Sequence, residues 1–245
     1  MVNLLIIGGT GEAADVARQT ATWPGLKVTT SLAGKTRDPM PLEGAVLSGG
    51  FGGADGMADY LRQAGIDLVI DATHPFAAVI SENVATACAA VGVDHVHLVR
   101  PPWVRRDGDA WIDVADLAQA ASAVAGRRVF LTIGRSELEC FAGMEDAWFL
   151  VRVIDAPAQP PPLANHHVIE GRPPFTIDGE KALMSEHEID VVVSKNSGGG
   201  ATYAKIAAAR ALTLPVVMVR RPPPPTGPIV ASVEETLAWL EKHQA

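Results

Sequence analysis

Short aliphatic and β-branched runs alternate with amphipathic stretches along the whole chain. Strands are predicted at NLLIIG, KVTTSL, GAVLS, DLVIDA and HVHLV in the first half, and at RVFLTI, WFLVRVI, DVVVSK and PVVMVR in the second. Between them, segments such as ADYLRQAG and ISENVATACAAVG place apolar residues three and four positions apart, which buries one helix face against a sheet. Apolar strands separated by helices are typical of parallel sheets. The pattern predicts an α/β protein with two Rossmann-like domains, mainly parallel sheets and an interdomain cleft.

A change of composition after the fifth predicted strand indicates a domain boundary. The segment RPPWVRRDGDAW is rich in proline, charge and turn residues, and it precedes a helical stretch, DLAQAASAVAG. Such segments commonly connect domains. We place the boundary near residues 115–126, which predicts a dinucleotide-binding domain over 1–120 and a substrate-binding α/β domain with a C-terminal helix over 121–245.

The C-terminal part of the chain contains a tetraproline and a capped helix. Proline cannot enter the interior of a sheet, so residues 222–225 are predicted to form an extended connector. In the stretch SVEETLAWLEKH, Ser232 is the predicted N-cap, with Glu235 three residues further on.

Composition restricts the class of protein and its partners. The 245 residues suffice for two modest domains, and although 48% are hydrophobic, no run approaches the roughly 20 apolar residues that span a bilayer. The N-terminus enters a strand at once, so we expect a cytoplasmic protein with no membrane partner. A net charge of -8 argues against a nucleic-acid partner, because phosphate backbones need a basic surface. No motif specifies the oligomeric state, and a monomer is the simplest expectation.

Cysteine and histidine spacing does not indicate a metal site. Cys88 and Cys140 stand far apart without a CxxC motif, so neither a disulfide framework nor a zinc site is predicted. The histidine pairs 95/97 and 166/167 lack an accompanying set of ligands. We therefore expect no metal.

The segment GGTGEAA, residues 8–14, which we call the first glycine loop, follows the first predicted strand and opens the first helix. Its GTGEAA part fits the Gly-x-Gly-x-x-Gly/Ala fingerprint in the required context. The glycines let backbone amides approach a pyrophosphate, which rests at the positive end of the helix. A plain strand-to-helix turn is the alternative. The predicted cofactor contacts here are Gly8, Gly9, Thr10, Gly11 and Glu12.

The end of the second predicted strand indicates which dinucleotide binds. An NAD-selective fold carries an acidic residue about 20 residues after the glycines. Here the strand ends in TTSL, without an acid, and Ser31, Gly34, Lys35 and Arg37 are the predicted contacts. Cations at this position suit the 2'-phosphate of NADP(H), so the sequence predicts NADPH. Two solvated loop charges are the alternative.

Two further loops follow the third and fourth predicted strands and should reach the same edge of a parallel sheet. They are SGGFGG at 48–53 and DATHPF at 71–76. An imidazole gains and loses a proton near neutral pH, so His74 is a candidate proton donor, with a structural histidine as the alternative. The predicted cofactor contacts in these loops are Gly50, Phe51, Gly52, Thr73, His74 and Pro75.

The segment SKNSGGG, residues 194–200, which we call the second glycine loop, ends an apolar strand and precedes an alanine-rich helix. Its lysine precedes the glycines, unlike a P-loop, so ATP is not implied. The amides of 198–202 are expected to open the helix and offer an anion site, with a glycine-cushioned turn as the alternative. If the cofactor occupies the first half, this loop holds an anionic substrate. The predicted substrate contacts are Arg100, Trp103, Arg135, Lys195, Asn196, Ser197, Gly198, Gly199, Thr202 and Tyr203.

Cations at predicted strand ends fit the same substrate chemistry. Besides Arg100 and Arg135, Arg152 and Arg172 occupy such positions, and the guanidinium fork recognises carboxylates with two hydrogen bonds. Surface ion pairs are the alternative for each of them. Phe175 is a candidate for flat apolar contact, with core packing as the alternative.

The ordered motifs GGTGE, SLAGK, GGFGG, IDATHPFA, RPPW, FLTIGR, SKNSGGGATYAK and PVVMVRRP resemble the precorrin-6A reductase family of cobalamin biosynthesis over nearly the full chain. The resemblance implies an NADPH-dependent enzyme that reduces a ring-D double bond of precorrin-6A and yields precorrin-6B. It also implies that the carboxylate arms of this anionic corrinoid macrocycle meet the second glycine loop. Lys35 stands where the family commonly has arginine, which keeps the charge but loses the fork.

The resemblance implies hydride transfer to the ring-D carbon at the junction with ring A and proton transfer to its neighbour in ring D. His74 and Lys195 are candidates for protonation or charge stabilisation, and solvent is the alternative proton source. Three other functions stay open: a cobalt-precorrin-6A reductase, another NADP-dependent small-metabolite reductase, and a non-catalytic NADP(H)-sensing module. A short-chain dehydrogenase is disfavoured, because neither tyrosine is followed four residues on by lysine.

Overall fold

The computed structural model describes residues 1–34, 42–157 and 159–244. The predicted cofactor residues Lys35 and Arg37 lie outside the described residues. In chain order, the first part forms β1 (Val2–Ile7), α1 (Gly11–Thr20), β2 (Leu26–Leu32), β3 (Ala45–Ser48), α2 (Ala54–Ala64), β4 (Leu68–Asp71), α3 (Ala78–Val91) and β5 (Asp94–Leu98). It continues with β6 (Trp111–Val114), α4 (Leu117–Ser122), β7 (Arg128–Leu131), a 3-10 helix (Arg135–Phe141), β8 (Trp148–Val153), β9 (His166–Glu170), α5 (Ile177–Glu186), β10 (Val191–Lys195), α6 (Ala204–Ala211), β11 (Val216–Val219), β12 (Ile229–Val230) and α7 (Val233–His243).

The chain divides into two compact units, each with one six-stranded sheet. The first unit comprises Met1–Pro101 and Pro222–Ala245, and the second comprises Pro102–Arg221. This division differs from the predicted domains 1–120 and 121–245. The reason lies in the edge strands, because β12 pairs with β5 and β6 pairs with β11. The C-terminal helix, predicted for the second domain, therefore belongs to the first unit.

The sheet of the first unit has the order β12-β5-β4-β1-β2-β3, and all its pairings are parallel. Alternate residues of β1 point to opposite faces of the sheet. Leu4 and Ile6 join the core that α1 and α7 cover, and α7 contributes Leu240. Leu5 and Ile7 join the core that α2 and α3 cover. Because both faces are buried, β1 is apolar throughout its centre.

The sheet of the second unit is also all parallel, with the order β6-β11-β10-β7-β8-β9. One face packs Phe130, Leu150 and Val192 against helices that contribute Met184 and Ile206. The prediction of an α/β protein with two Rossmann-like domains and mainly parallel sheets is confirmed.

All nine predicted strands are present, whereas β6, β9 and β12 were missed. Each missed strand is short or mixed in character and lies at or next to a sheet edge, where the apolar signal is weak. The tetraproline lies between β11 and β12, outside any strand. Ser232 caps α7 as predicted, because its side chain accepts a hydrogen bond from Glu235 N at 3.2 Å.

The described ranges lack two kinds of feature. None of their helices combines the length and the apolar character needed to cross a bilayer. Nor do they contain a group of three or more His, Cys, Asp or Glu side chains arranged to hold a metal ion.

Candidate functional site

The first glycine loop lies where the strand order of the first sheet reverses. β1 has β2 on one side and β4 on the other, and ligands of open parallel sheets bind at the carboxyl ends of strands at such a point. Thr10 Oγ1 donates a hydrogen bond to Ala72 O at 2.7 Å, and Ala72 N donates to Ile7 O at 2.9 Å. The loops that follow β1 and β4 are therefore tied together.

The glycines of this loop have distinct roles. A Cβ on Gly8 would come within 3.0 Å of Thr30 Cγ2, so the loop approaches β2 closely. Gly9 has φ +111, and a Cβ on Gly9 or Gly11 would meet nothing within 4 Å. Thr10 caps α1 by accepting a hydrogen bond from Ala13 N at 3.1 Å. Open space above a capped helix N-terminus fits the pyrophosphate of a dinucleotide.

Two residues predicted to contact different ligands meet at this loop. Arg100, predicted for the substrate, forms an ion pair of 2.7 Å with Glu12, predicted for the cofactor. Both belong to the first unit, and both side chains are less than one third exposed. A carboxylate in the first turn of α1 would repel a bound phosphate. Arg100 neutralises this carboxylate, so its position supports anion binding at the first loop.

The ends of β2 and β3 complete this edge of the sheet. Gly8 N donates to Ser31 O at 2.8 Å, and Gly49 N donates to Leu32 O at 2.9 Å. The Ser31 side chain is buried, so its visible role is to position the first glycine loop. Gly34 has φ +69, and a Cβ there would lie 3.2 Å from the side chain of Ser48. No acidic residue is present in β2, as the sequence indicates.

The loop over 48–53 is held by its aromatic residue. Phe51 is half-buried and packs against Tyr60 with ring centroids 5.3 Å apart. A Cβ on Gly56 would lie 1.9 Å from Phe51 O, so glycine is required there. Sequence reasoning missed Gly56. The predicted contacts Gly50 and Gly52 have open space where a side chain would point.

The loop after β4 is organised by a buried carboxylate. Asp71 Oδ1 accepts hydrogen bonds from Thr73 N at 3.0 Å and Thr73 Oγ1 at 2.7 Å, and Oδ2 is bonded to His97 Nδ1 at 2.8 Å. Burial raises the pKa of Asp71, but hydrogen bonds from His97, Ser81 and Thr73 outweigh it and leave this pKa below its usual value. The charged carboxylate thus fixes Thr73. The role of Asp71 could have been suspected from the sequence, because this aspartate directly precedes the Ala-Thr-His-Pro segment of the loop.

His74 and Pro75 continue this loop. His74 Nδ1 accepts a hydrogen bond from Phe76 N at 3.3 Å, and His74 O accepts one from Ala77 N at 2.7 Å. With Nδ1 acting as acceptor, a neutral imidazole carries its proton on Nε2. The loop therefore orients the ring of His74 through its own backbone.

The second glycine loop follows β10, which lies next to β7 where the strand order of the second sheet reverses; its counterpart in the first sheet is the loop after β4. Lys195 Nζ donates to both carboxylate oxygens of Glu137, at 2.9 and 2.7 Å. Gly134 N donates to the same carboxylate at 2.9 Å. Lys195 thus joins the loops after β7 and β10 and carries a carboxylate partner within its own unit. Arg135, at the start of the 3-10 helix, is exposed.

Trp103 and Asn196 fasten the second glycine loop. Asn196 Oδ1 accepts a hydrogen bond from Trp103 N at 2.8 Å, and its Nδ2 donates to Trp103 O at 3.1 Å. The indole Nε1 donates to Gly199 O at 2.7 Å. Trp103 is only 8% exposed, so it supports the loop from within the second unit.

The glycines of this loop form a turn before the helix. Gly198 and Gly199 have φ +66 and +75, values that favour glycine. The helix α6 begins at Ala204, so the amides of 198–202 precede it and do not open it as predicted. Ser197 is buried and Thr202 is half-buried.

Tyr203 has a partner in the same unit. Its hydroxyl accepts a hydrogen bond from Arg210 Nη2 at 2.7 Å, and Arg210 also pairs with Asp109. The structure therefore places Tyr203 in a network that fixes the start of α6.

A second group of charges lies buried next to the loop. Arg152 pairs with Glu180, and their side chains are 8% and 3% exposed. The guanidinium carbon of Arg152 lies 3.7 Å from the ring centroid of Phe175. Lys205 in α6 is 5% exposed, and its Nζ lies 5.5 Å from the ring centroid of Trp103. Sequence reasoning missed Glu180 and Lys205, although a lysine within the apolar stretch ATYAKIAAAR was a signal.

Known proteins resemble this chain over nearly its whole length. The family model described as precorrin-6x reductase CbiJ/CobK matches residues 3–241. A precorrin-6A reductase from Rhodococcus erythropolis is 49% identical over 245 residues, covering 98% of each chain. A cobalt-precorrin-6A reductase from Priestia megaterium is 26% identical over 251 residues, covering 97% of each chain.

A solved structure of CobK precorrin-6A reductase matches with a TM-score of 0.94 and 41% identity, covering 100% of this chain and 98% of that one. The reductase name implies a nicotinamide cofactor. The chain belongs to the precorrin-6x reductase family CbiJ/CobK.

Proposed function

We propose that this protein reduces precorrin-6A to precorrin-6B in cobalamin biosynthesis, with NADPH as the reductant. The main support is that each sheet has a glycine loop beside the point where its strand order reverses, after β1 in the first sheet and after β10 in the second. A protein with one small ligand needs only one such loop. A dinucleotide and a second, polyanionic ligand account for both.

The preference for NADPH rests on the end of β2. Thr30, Ser31 and Leu32 close this strand without the carboxylate that binds the ribose hydroxyls of NAD. In the sequence, Lys35 and Arg37 follow directly, and cations there attract a 2'-phosphate. We propose that the first unit binds NADPH through the first glycine loop and these two cations.

The corrinoid substrate is assigned to the second unit because of the charges near the second glycine loop. Lys195 is held at the end of β10 by Glu137, which fixes the position of its ammonium. We propose that Lys195 orients a carboxylate arm of the macrocycle, together with Ser197 and the amides of Gly198 and Gly199. An ammonium already bonded to two carboxylate oxygens suits this binding role better than proton donation.

When bound, NADPH supplies the hydride that reduces the ring-D double bond. The residues of the chain bind and orient the two reactants and exclude water, which is the main requirement when the conjugated macrocycle itself accepts the electrons. We propose His74 as the proton donor, because Asp71 and Thr73 hold its loop beside the first glycine loop. Its Nε2 would carry the proton that goes to the neighbouring ring-D carbon.

The metal-free macrocycle is the preferred substrate in this proposal. The chain is 49% identical to a precorrin-6A reductase and 26% identical to a cobalt-precorrin-6A reductase, with nearly complete coverage of both. This difference favours precorrin-6A over its cobalt form.

The test is anaerobic turnover of the purified protein with NADPH and either precorrin-6A or cobalt-precorrin-6A. The absorbance of the macrocycle and of the nicotinamide is followed in the same cuvette. Equimolar loss of NADPH and of precorrin-6A is expected, with slower turnover of the cobalt form. NADPH binding without reduction of either macrocycle would refute the proposal and favour a small-metabolite reductase or a sensing module.

A further inference from the structure

Lys205 occupies an unusual place in the second unit. It lies in the first turn of α6, shortly after the second glycine loop, and its side chain is 5% exposed. Among the described residues, no carboxylate forms an ion pair with it. Its Nζ lies over the ring of Trp103, 5.5 Å from the ring centroid. A buried ammonium without an anion is unfavourable, so the residue calls for an explanation.

The charges around Lys205 come from three elements. Arg152 in β8 and Lys195 in β10 disfavour its charged form, and Glu180 in α5 favours it. The two neighbouring cations already have carboxylates, since Arg152 pairs with Glu180 and Lys195 pairs with Glu137. Among the described residues, Lys205 is the cation of this group that has no ion pair, since Glu180 acts on it without lying within ion-pair distance.

A purely structural role accounts poorly for this arrangement. Lysine stems fill space, but methionine would fill the same space without a charged end. Glu180 Oε2, in the same cluster, is buried and has no hydrogen-bond partner among the described residues. A buried lysine without an ion pair and an unpaired acceptor in one cluster of described residues indicate a place for a polar group from outside the chain.

We propose that Lys205 binds a carboxylate of the substrate behind the second glycine loop and takes up one proton from solvent as that carboxylate arrives. This inference rests on the proposed function, because the substrate supplies the carboxylate. Trp103 links the two parts of this site. Its Nε1 holds the loop through Gly199 O at 2.7 Å, and its ring faces Lys205.

Electrostatics supports the proton uptake. Burial, together with Arg152 and Lys195, lowers the pKa of Lys205 to about 7, despite the opposite effect of Glu180. An arriving carboxylate raises this pKa again. The carboxylate of the substrate stays ionised, and the proton that Nζ gains comes from water. When the product departs, Nζ returns this proton to water. At pH 7 about 0.5 proton, and at pH 8 about 0.9 proton, should be taken up per substrate bound.

The experiment compares the wild-type protein with Lys205→Met, Lys205→Arg and the control Lys181→Met, a half-buried lysine of α5 in the same unit. The dissociation constant of precorrin-6A is measured without NADPH, by its visible absorbance, between pH 6 and pH 9. Proton uptake is measured with an indicator dye in weakly buffered solution. The affinity for NADPH is measured separately.

Wild-type affinity for precorrin-6A should fall about tenfold per pH unit above pH 7, because the neutral lysine must first gain a proton. Lys205→Met should bind at least tenfold more weakly at pH 7, without this pH dependence and with unchanged NADPH affinity. Lys205→Arg, if folded, should bind without proton uptake, because guanidinium stays charged. Lys181→Met should behave as wild type.

Two results overturn the inference: binding by wild type without proton uptake, or equal affinity for Lys205→Met and the control. If Lys205→Met fails to fold, the wild-type proton count and Lys205→Arg decide the question. Failure of the wild-type protein to bind precorrin-6A at all would instead refute the proposed function.

Discussion

Replacing Lys205 with methionine should change how stability depends on pH. The folded protein holds this side chain with a pKa of about 7, against 10.5 for an ordinary lysine, chiefly because it is buried. Between these two values the unfolded chain binds a proton that the folded chain does not. The free energy of unfolding therefore rises with pH in this range, and the penalty for burying the charge is fully present below pH 7.

The magnitude follows from these two pKa values. At about 1.4 kcal/mol per pKa unit, lowering the pKa from 10.5 to about 7 corresponds to about 5 kcal/mol of destabilisation at low pH. The side chain is buried, so solvent screening does not reduce this figure. From pH 6 to pH 8 the wild-type protein should gain roughly 1 kcal/mol relative to Lys205→Met, and from pH 6 to pH 9 roughly 3 kcal/mol.

Urea unfolding followed by tryptophan fluorescence measures this difference at pH 6, 7, 8 and 9. Slopes from other ionisable groups cancel when Lys205→Met is compared with the wild type. Lys181→Met serves as the control for loss of a lysine from the same unit. Lys205→Met should have a higher free energy of unfolding than the wild type at pH 6. The difference between the two free energies should become smaller as pH rises. A constant gap across this range would show that Lys205 stays charged in the folded protein.

Three further results are expected. Arg100→Met should raise the dissociation constant of NADPH about tenfold, because Glu12 then repels the phosphates. Adding Glu12→Gln should restore most of the affinity. A double variant that binds NADPH as weakly as Arg100→Met would contradict this reasoning. Lys35→Glu should weaken NADPH binding far more than NADH binding, and equal losses would remove the assigned 2'-phosphate contact. Lys195→Ala should raise the KM for precorrin-6A severalfold while NADPH affinity is kept, whereas loss of NADPH affinity alone would mean that the two glycine loops exchange ligands.

The sequence allowed the interior of the fold to be predicted. Strands such as β1 and β10 contain uninterrupted runs of buried apolar residues, because both faces of each sheet are covered. Edge strands have no such signal. In β6, Val114 is the one buried residue, and β12 has only two residues. The assignment of β12 to the first unit depends on its pairing with β5, which no local pattern reports.

The sequence allowed the loops of the candidate site to be predicted, but not the ion pairs between their side chains. Glycines after strands mark both loops, because positive φ values and close backbone approach demand them. Their charged residues looked free for ligands in the sequence. Arg100 and Glu12 are 88 residues apart, and Lys195 and Glu137 are 58 apart. Only the sheet order brings these partners together, so no local sequence pattern could report that Arg100 meets Glu12 or that Lys195 meets Glu137.

The return of the C-terminal segment to the first unit has a consequence for biosynthesis. During translation, residues 1–101 leave the ribosome with the edge of β5 uncovered, and the core that Leu240 fills stays open. The second unit is synthesised in full before β12 and α7 appear. The second unit should therefore fold first, and a nascent chain stalled before residue 229 should carry an exposed first unit that chaperones recognise.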